Sequence, residues 1–367
     1  MGVIMQLVNR TMFPAFAFRQ FDREGALDGV VSVRGTFRVE PGLALATADD
    51  QEAFQWEDVY DGDPQQRPLL RQSDLVPFKP GTDVTVLGDA VNPNADGSPF
   101  LCRIRIGERI DASLRVMGTR YWIARTRRTW RGLLQRDPQP ILEGWDLGEP
   151  EPVARVPLTW QAALGGPLPG GAGEVHPDNP LGTGLVDRNH CDHRRTYPAP
   201  TIEAADAPVA RFDVLPPPAG FGPVPPWWRP RQQHAGTYDE AWLAERHPLL
   251  PRDFDERFWH CAPPGLVATP WLAGTEAFTL DNLHPDHPRL TGLLPGIMLG
   301  ATVTDEGGTR KHPLALDGVQ FDLRPGIERV LLTWRCRFPL PEAETAEIVL
   351  AERARLRRSL PDTESVA

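Results

Sequence analysis

The sequence predicts a mainly β fold: sandwich-like antiparallel sheets carrying a long, ordered Pro/Gly/Trp-rich insertion and a few short helices. Three observations carry that prediction. Apolar residues recur with period two near both ends of the chain. Forty prolines in 367 residues, about twice the usual share, leave little room for long helices. Eleven Trp and fifteen Phe accompany those prolines, and such apolar content opposes disorder.

The elements follow in order. A strand is expected at Ala15–Phe21. At Val31–Glu40, Val31, Val33, Phe37 and Val39 alternate with Ser32, Arg34, Thr36, Arg38 and Glu40. Asp83–Ala90 is the next strand. In Cys102–Val116 a turn at Gly107–Glu108 joins two alternating runs, a hairpin with one wet face. Strands are also expected at Arg120–Ala124, Ala277–Leu280, Leu314–Leu323 and Glu347–Glu352. Val330, Leu332, Trp334, Cys336 and Phe338 alternate with Leu331, Thr333, Arg335 and Arg337. A slip of one residue would put arginines in the core, so the register is firm. Helical signals are confined to Thr159–Leu164, Tyr238–His247 (Thr237 as N-cap, Pro248 as stop) and Asp253–His260 with Asp253 as cap. The organisation is a β-rich part over 1–156, an irregular region with short helices over 157–264, strands completing the β core over 265–355, and a polar tail over 356–367.

The formal net charge of −10 speaks against a phosphate-tracking protein. The densest basic stretch, Arg125–Arg131, reads as a solvated edge strand or loop. No nucleic acid partner is expected. No run approaches ~18 apolar residues, so no membrane span is expected. The four cysteines are widely spaced with no C-x-x-C, which suggests a cytoplasmic protein with reduced thiols.

No nucleophile elbow, phosphate loop, dinucleotide fingerprint or H-E-x-x-H is present. His190-Cys191-Asp192-His193 offers ligating types, but no second pair stands at zinc-site spacing and Arg188, Arg194 and Arg195 would repel a cation. It reads as a polar surface loop, as does His284-Pro285-Asp286-His287. Tyr60–Pro64 reads as a turn. Asp253 and Asp255 are the nearest approach to an acid/base pair. Two residues apart on a helix they do not face each other, so capping and pairing with Arg252 or Arg257 is preferred. No catalytic residue, metal or cofactor is expected.

The segment Pro218–Arg231, PAGFGPVPPWWRPR, holds five prolines; no helix is expected to run through it, and no central strand accepts it. Proline fixes φ, so the segment holds one shape and presents its aromatics rigidly. Trp227 and Trp228 can each bury ~150–250 Å². Neighbours in an extended chain point in opposite directions: one tryptophan anchors the loop to the β core and the other faces a groove or partner. The plainer alternative has both plugging the domain. Arg229 and Arg231 are expected to stack on rings or pair with Asp253 and Asp255. Tyr238 and Trp242, four apart, share one helix face turned inward more readily than outward. With Phe221, these nine residues are the candidate partner-binding set: Phe221, Trp227, Trp228, Arg229, Arg231, Tyr238, Trp242, Asp253 and Asp255.

Several stretches together resemble one bacterial family: Asp74–Ala90 (DLVPFKPGTDVTVLGDA), Val156–Gly166 (VPLTWQAALGG), Asp178–Gly184 (DNPLGTG), and a run over Pro217–Pro263 that includes WWRPRQQHAGTYDEAW and RHPLLPRDFDERFWHCAP. A Q…D…Y…GDP region at Gln51–Pro64 and Gly274-Thr275-Glu276 stand at matching places. The family is domain of unknown function twenty-one sixty-nine, whose members are similar to adaptor chaperones of type VI secretion. The resemblance covers about Met1–Arg355. It implies a non-enzymatic adaptor that binds a cognate effector with a PAAR tip, shields it, and delivers it to the VgrG spike. It supplies no catalytic residues. Addition of a client strand to an open sheet edge is one mode such a protein would use. Two other classes remain: a β-sandwich carbohydrate-binding module or hydrolase, with Trp227, Trp228 and Trp242 as sugar platforms and Asp253 or Asp255 as acid, and a structural component of the spike itself.

Overall fold

Alternation at Val31–Val39 and Val330–Phe338 produces two long neighbouring strands, Leu27–Arg38 and Arg329–Pro339, in the computed structural model, which describes residues 4–129, 139–212, 214–340 and 345–356. They pair antiparallel with Val33 opposite Trp334 and Val31 opposite Cys336. They belong to a seven-stranded sheet. Its order is Val267–Ala268, Thr82–Leu87, Ala315–Asp322, Arg329–Pro339, Leu27–Arg38 and Ala15–Phe21, with Ala46–Thr47 joined to Leu27–Arg38. Only Thr82–Leu87 and Ala315–Asp322 run parallel within it.

One face of this sheet is apolar, with Val31, Val33, Val84, Val86, Phe321 and Leu332 all buried. It packs on a second layer made of two sheets. The first has five antiparallel strands: Ile202–Ala204, Ile110–Val116, Phe100–Ile106, Ala277–Asp281 and Arg289–Leu293. The second has four: Ile4–Asn9, Thr345–Arg355, Ile297–Asp305 and Gly308–Pro313. One continuous core draws on all three sheets, and the rings of Phe278 and Phe321 meet across the layers with centroids 5.1 Å apart. The fold is therefore mainly β and sandwich-like, and its longest described helix, Glu240–Glu245, has six residues.

A smaller three-stranded sheet, Gln139–Leu147, Arg120–Thr129 and Tyr197–Ala199, has its own core. There the Trp145 ring stacks on Phe212 at 4.6 Å and Trp122 meets the same ring edge-on at 5.3 Å. The expected basic stretch lies partly in this sheet; its Trp130 and Arg131 fall outside the described residues, as does all of the expected polar tail beyond Leu356.

Several local expectations need correction. A one-turn helix, Arg229–Gln232, does form inside the proline-rich segment, because Pro230 falls in the first turn, where a missing N–H costs nothing. The cap of Glu240–Glu245 is Asp239, not Thr237: its carboxylate accepts from Trp242 N at 2.8 Å. The third expected helix is a 3-10 turn, Glu256–Trp259, capped by Asp255 rather than Asp253. Thr159–Leu164 shrinks to a 3-10 turn at Trp160–Ala162.

All four cysteines are free. Burial pushes the thiols of Cys102, Cys261 and Cys336 up to about 12; it raises Cys191 as well, but that thiol alone is half-buried and within reach of solvent. Thiolates are the reactive form, so brief iodoacetamide treatment of the native protein should modify Cys191 first. Intact-mass and peptide analysis checks this; early modification of Cys261 would contradict its burial.

Candidate functional site

The second face of the seven-stranded sheet carries the arginines that alternate with the apolar residues. Alternation predicts that these side chains face water. They do not: Arg34 and Arg335 are 5% and 6% exposed. Two irregular segments, around 48–79 and 254–262, cover this face, and the first brings the carboxylate that makes burial of Arg34 affordable. Arg34 pairs with Asp74 at 2.6 Å, and Asp74 also accepts from Gln55 N at 2.8 Å. Arg335 pairs with Asp317. Gln51 mimics a strand: Thr36 N donates to its Oε1 at 2.8 Å and its Nε2 donates to Thr36 O at 3.1 Å.

The tightest knot is around Asp83. Its carboxylate accepts from Lys79 Nζ at 2.6 Å and from the backbone N of Cys261 at 2.7 Å, and lies 2.5 Å from His260 Nδ1. Burial would raise this carboxyl, but the Lys79 ammonium and the His260 imidazole hold it well below the usual carboxylate range. Cys, His and Asp are the residue types of a thiol hydrolase. The electrostatics differ, since burial leaves the Cys261 thiol protonated at neutral pH despite Lys79 nearby. The cluster locks the cover to the sheet.

A second knot holds the tryptophan-rich segment. Trp228 is fully enclosed and meets the Trp160 ring edge-on at 5.5 Å. Trp160 Nε1 donates to Pro223 O at 2.9 Å. Asn179, also fully buried, donates from Nδ2 to Trp160 O at 2.8 Å and to Leu164 O at 2.9 Å. Gly182 is required beside it, because a Cβ there would lie 2.4 Å from Asn179 Nδ2.

The nine candidate residues divide. Phe221, Trp228 and Arg231 are buried. Trp227 is 39% exposed and meets the Trp228 ring edge-on at 5.8 Å. Arg229 grips Asp178 with two bonds of 2.5 Å, not Asp253 or Asp255, because its helix turn faces the 178 loop. Arg231 lies over the Phe258 ring at 5.3 Å and donates to Phe258 O and Val224 O. Tyr238 and Trp242 do touch, at 4.7 Å, but they share no helix face: Tyr238 precedes the Asp239 cap and is exposed, and no residue of helix Glu240–Glu245 is buried, so the pair lies on the surface and not inward. Asp253 accepts from Thr237 N and Oγ1, and Asp255 pairs with Arg257 at 2.5 Å. These bonds lower both carboxyls, Asp255 to about 2, so neither holds a proton to donate at neutral pH. Trp228, one of the three sugar platforms of the alternative carbohydrate reading, is fully enclosed.

Asp253 and Asp255 nevertheless border an open cleft of about 770 Å³. Asp22, Glu24, Asp28 and Glu256 complete six carboxylates around it, against the guanidiniums of Arg23, Arg257 and Arg337. Phe21, Pro77, Pro80 and Trp259 supply apolar wall.

Sequence reasoning missed a second exposed feature. Phe16 and Phe18 on strand Ala15–Phe21 gather with Phe54 and Trp56 of the cover. Phe16 meets Phe54 at 4.4 Å, Trp56 at 4.9 Å and Phe18 at 5.6 Å. Trp56 remains 59% exposed. The signal available was the pair of i,i+2 rings in each of two segments, 16/18 and 54/56.

A family model described as an uncharacterized protein conserved in bacteria, DUF2169, matches residues 24–335. The chain belongs to this family. No curated protein and no solved structure matches it. In this DUF2169 protein the matched span contains both knots and most of the cleft, whereas strand Ala15–Phe21 precedes it. Among the described residues no three His, Cys, Asp or Glu side chains gather as a metal site, and His190 and His193 instead lie beside Asp187 and Asp192. No described helix is long and apolar enough to cross a membrane.

Proposed function

We propose that this DUF2169 protein is a non-enzymatic adaptor and chaperone that binds one cognate type VI secretion effector bearing a PAAR tip and assists its loading onto the VgrG spike. The observation that carries the reading is the aromatic shelf of Phe16, Phe18, Phe54 and Trp56, partly exposed on a scaffold fixed by buried ion pairs. Exposed aromatics on a rigid support are the usual anchors of protein recognition. The sequence resemblance supplies the class of client. A net charge of −10 favours clients with basic patches, speeding encounter more than tightening the complex.

Co-expression with the effector encoded beside its gene tests the reading. The expected result is co-purification and a higher soluble yield of the effector. Absence of both, together with glycan-dependent quenching of tryptophan fluorescence, would favour a carbohydrate-binding module instead.

A further inference from the structure

Strand Ala15–Phe21 closes one side of the seven-stranded sheet, and its hydrogen-bonding pattern can be read from two bonds. Arg34 N donates to Pro14 O at 3.1 Å, and Asp22 N donates to Ala26 O at 2.8 Å. The register runs from Ala15 opposite Val33 to Phe21 opposite Leu27. Bonded pairs alternate along an antiparallel ladder, so the even-numbered residues bond inward. The amides and carbonyls of Ala15, Ala17 and Arg19 point away from the sheet, and no described strand pairs with that side.

Side chains on one sheet face recur every second residue, about 7 Å apart. Phe16, Phe18 and Gln20 therefore share a face. The first two belong to the aromatic shelf; Gln20 and its cross-strand neighbour Asp28 line the acid-rich cleft. Shelf and cleft are successive stations along one free edge.

We propose that this edge takes up an extended segment of the client as an added strand, with two alternate apolar side chains on the shelf and a Lys or Arg side chain in the cleft. The identity of the client rests on the adaptor reading; the site does not. Charge selects the occupant, since six carboxylates face three guanidiniums around the cleft. Burial, with Asp22 and Glu256 nearby, pushes the Asp28 carboxyl up against the pull of Arg337, a crowding that an incoming ammonium relieves. A second copy of this chain is disfavoured as occupant, because each copy carries a net charge of −10.

The probe is a capped, fluorescent Lys-Thr-Leu-Thr-Val-Thr-Lys peptide, which presents a lysine to the cleft in either strand direction. It should bind the wild type, and the same peptide with Glu at both ends should bind at least about tenfold more weakly. Arg19→Pro removes an outward amide from an exposed residue without touching the inner ladder, and should weaken binding by about tenfold or more. Trp56→Ser, on the exposed ring, should weaken it comparably while leaving melting unchanged. Equal binding by the Lys and Glu peptides, or unaltered binding by both variants, overturns the proposal. So does a concentration-dependent wild-type dimer that Arg19→Pro abolishes. Effector capture separates the two readings. If wild type and Arg19→Pro capture the effector equally, the edge site falls and the adaptor stands. If the peptide binds as expected but no effector is captured, the adaptor falls and the edge site stands.

Discussion

Trp228→Ala lowers the unfolding free energy by about 3–5 kcal/mol, while Trp227→Ala leaves it nearly unchanged. The two indoles are adjacent in sequence and opposite in environment. Trp228 is fully enclosed among Trp160, Ala163 and Val224. Truncation there removes a large apolar volume from a site that cannot collapse, since Asn179 and the Trp160–Pro223 bond hold its walls apart. Trp227 is 39% exposed, and its loss leaves no cavity. Urea denaturation of both variants measures the difference. Equal, modest losses would mean that the proline-rich segment is not pinned by one residue.

Breaking the Asp83 knot costs as much. Asp83→Asn or Lys79→Met is expected to lower stability by about 3–5 kcal/mol, because each leaves a buried charge without its partner. The double variant Lys79→Met/Asp83→Asn should cost less than the sum of the two. The pH dependence fixes the sign. The folded carboxyl of Asp83 lies below its unfolded value, so its contribution is fully present above about pH 4 and declines as pH falls from there toward the folded value. The stability gap between wild type and Asp83→Asn should therefore narrow in acid. Asp317, raised by burial despite Arg335, acts in the opposite sense, so the comparison must be made against the single variant and not against wild type alone. A gap that widens in acid would remove the ion pair from the account.

The strands were legible where a polar face alternates with an apolar one, as at Leu27–Arg38 and Arg329–Pro339. Alternation marks which side chains share a face; it does not tell whether that face is wet. Arg34 is buried because its partner arrives from a remote segment, Asp74 lying forty residues along the chain, and Asp83 likewise meets His260 across 177, whereas Arg335 finds Asp317 on the neighbouring strand Ala315–Asp322. Ile4–Asn9 escaped notice because its apolar residues are not spaced by polar ones, and Gly308–Pro313 because it is short and charged. The stretches that carry the family resemblance hold Lys79, Asp83 and His260, which turn inward to fasten the cover, and Trp160, Asn179 and Trp228, which turn inward to hold the tryptophan-rich segment. The shelf beside the free edge lay in ordinary-looking rings of two separate segments, which only the folded chain brings together.

The most direct test is hydrogen exchange on the protein alone and in complex with its effector. Client strand addition predicts strong new protection of the amides of Ala15, Ala17 and Arg19, which point outward in the free protein. Unchanged exchange along Ala15–Phe21 in a fully formed complex would contradict it.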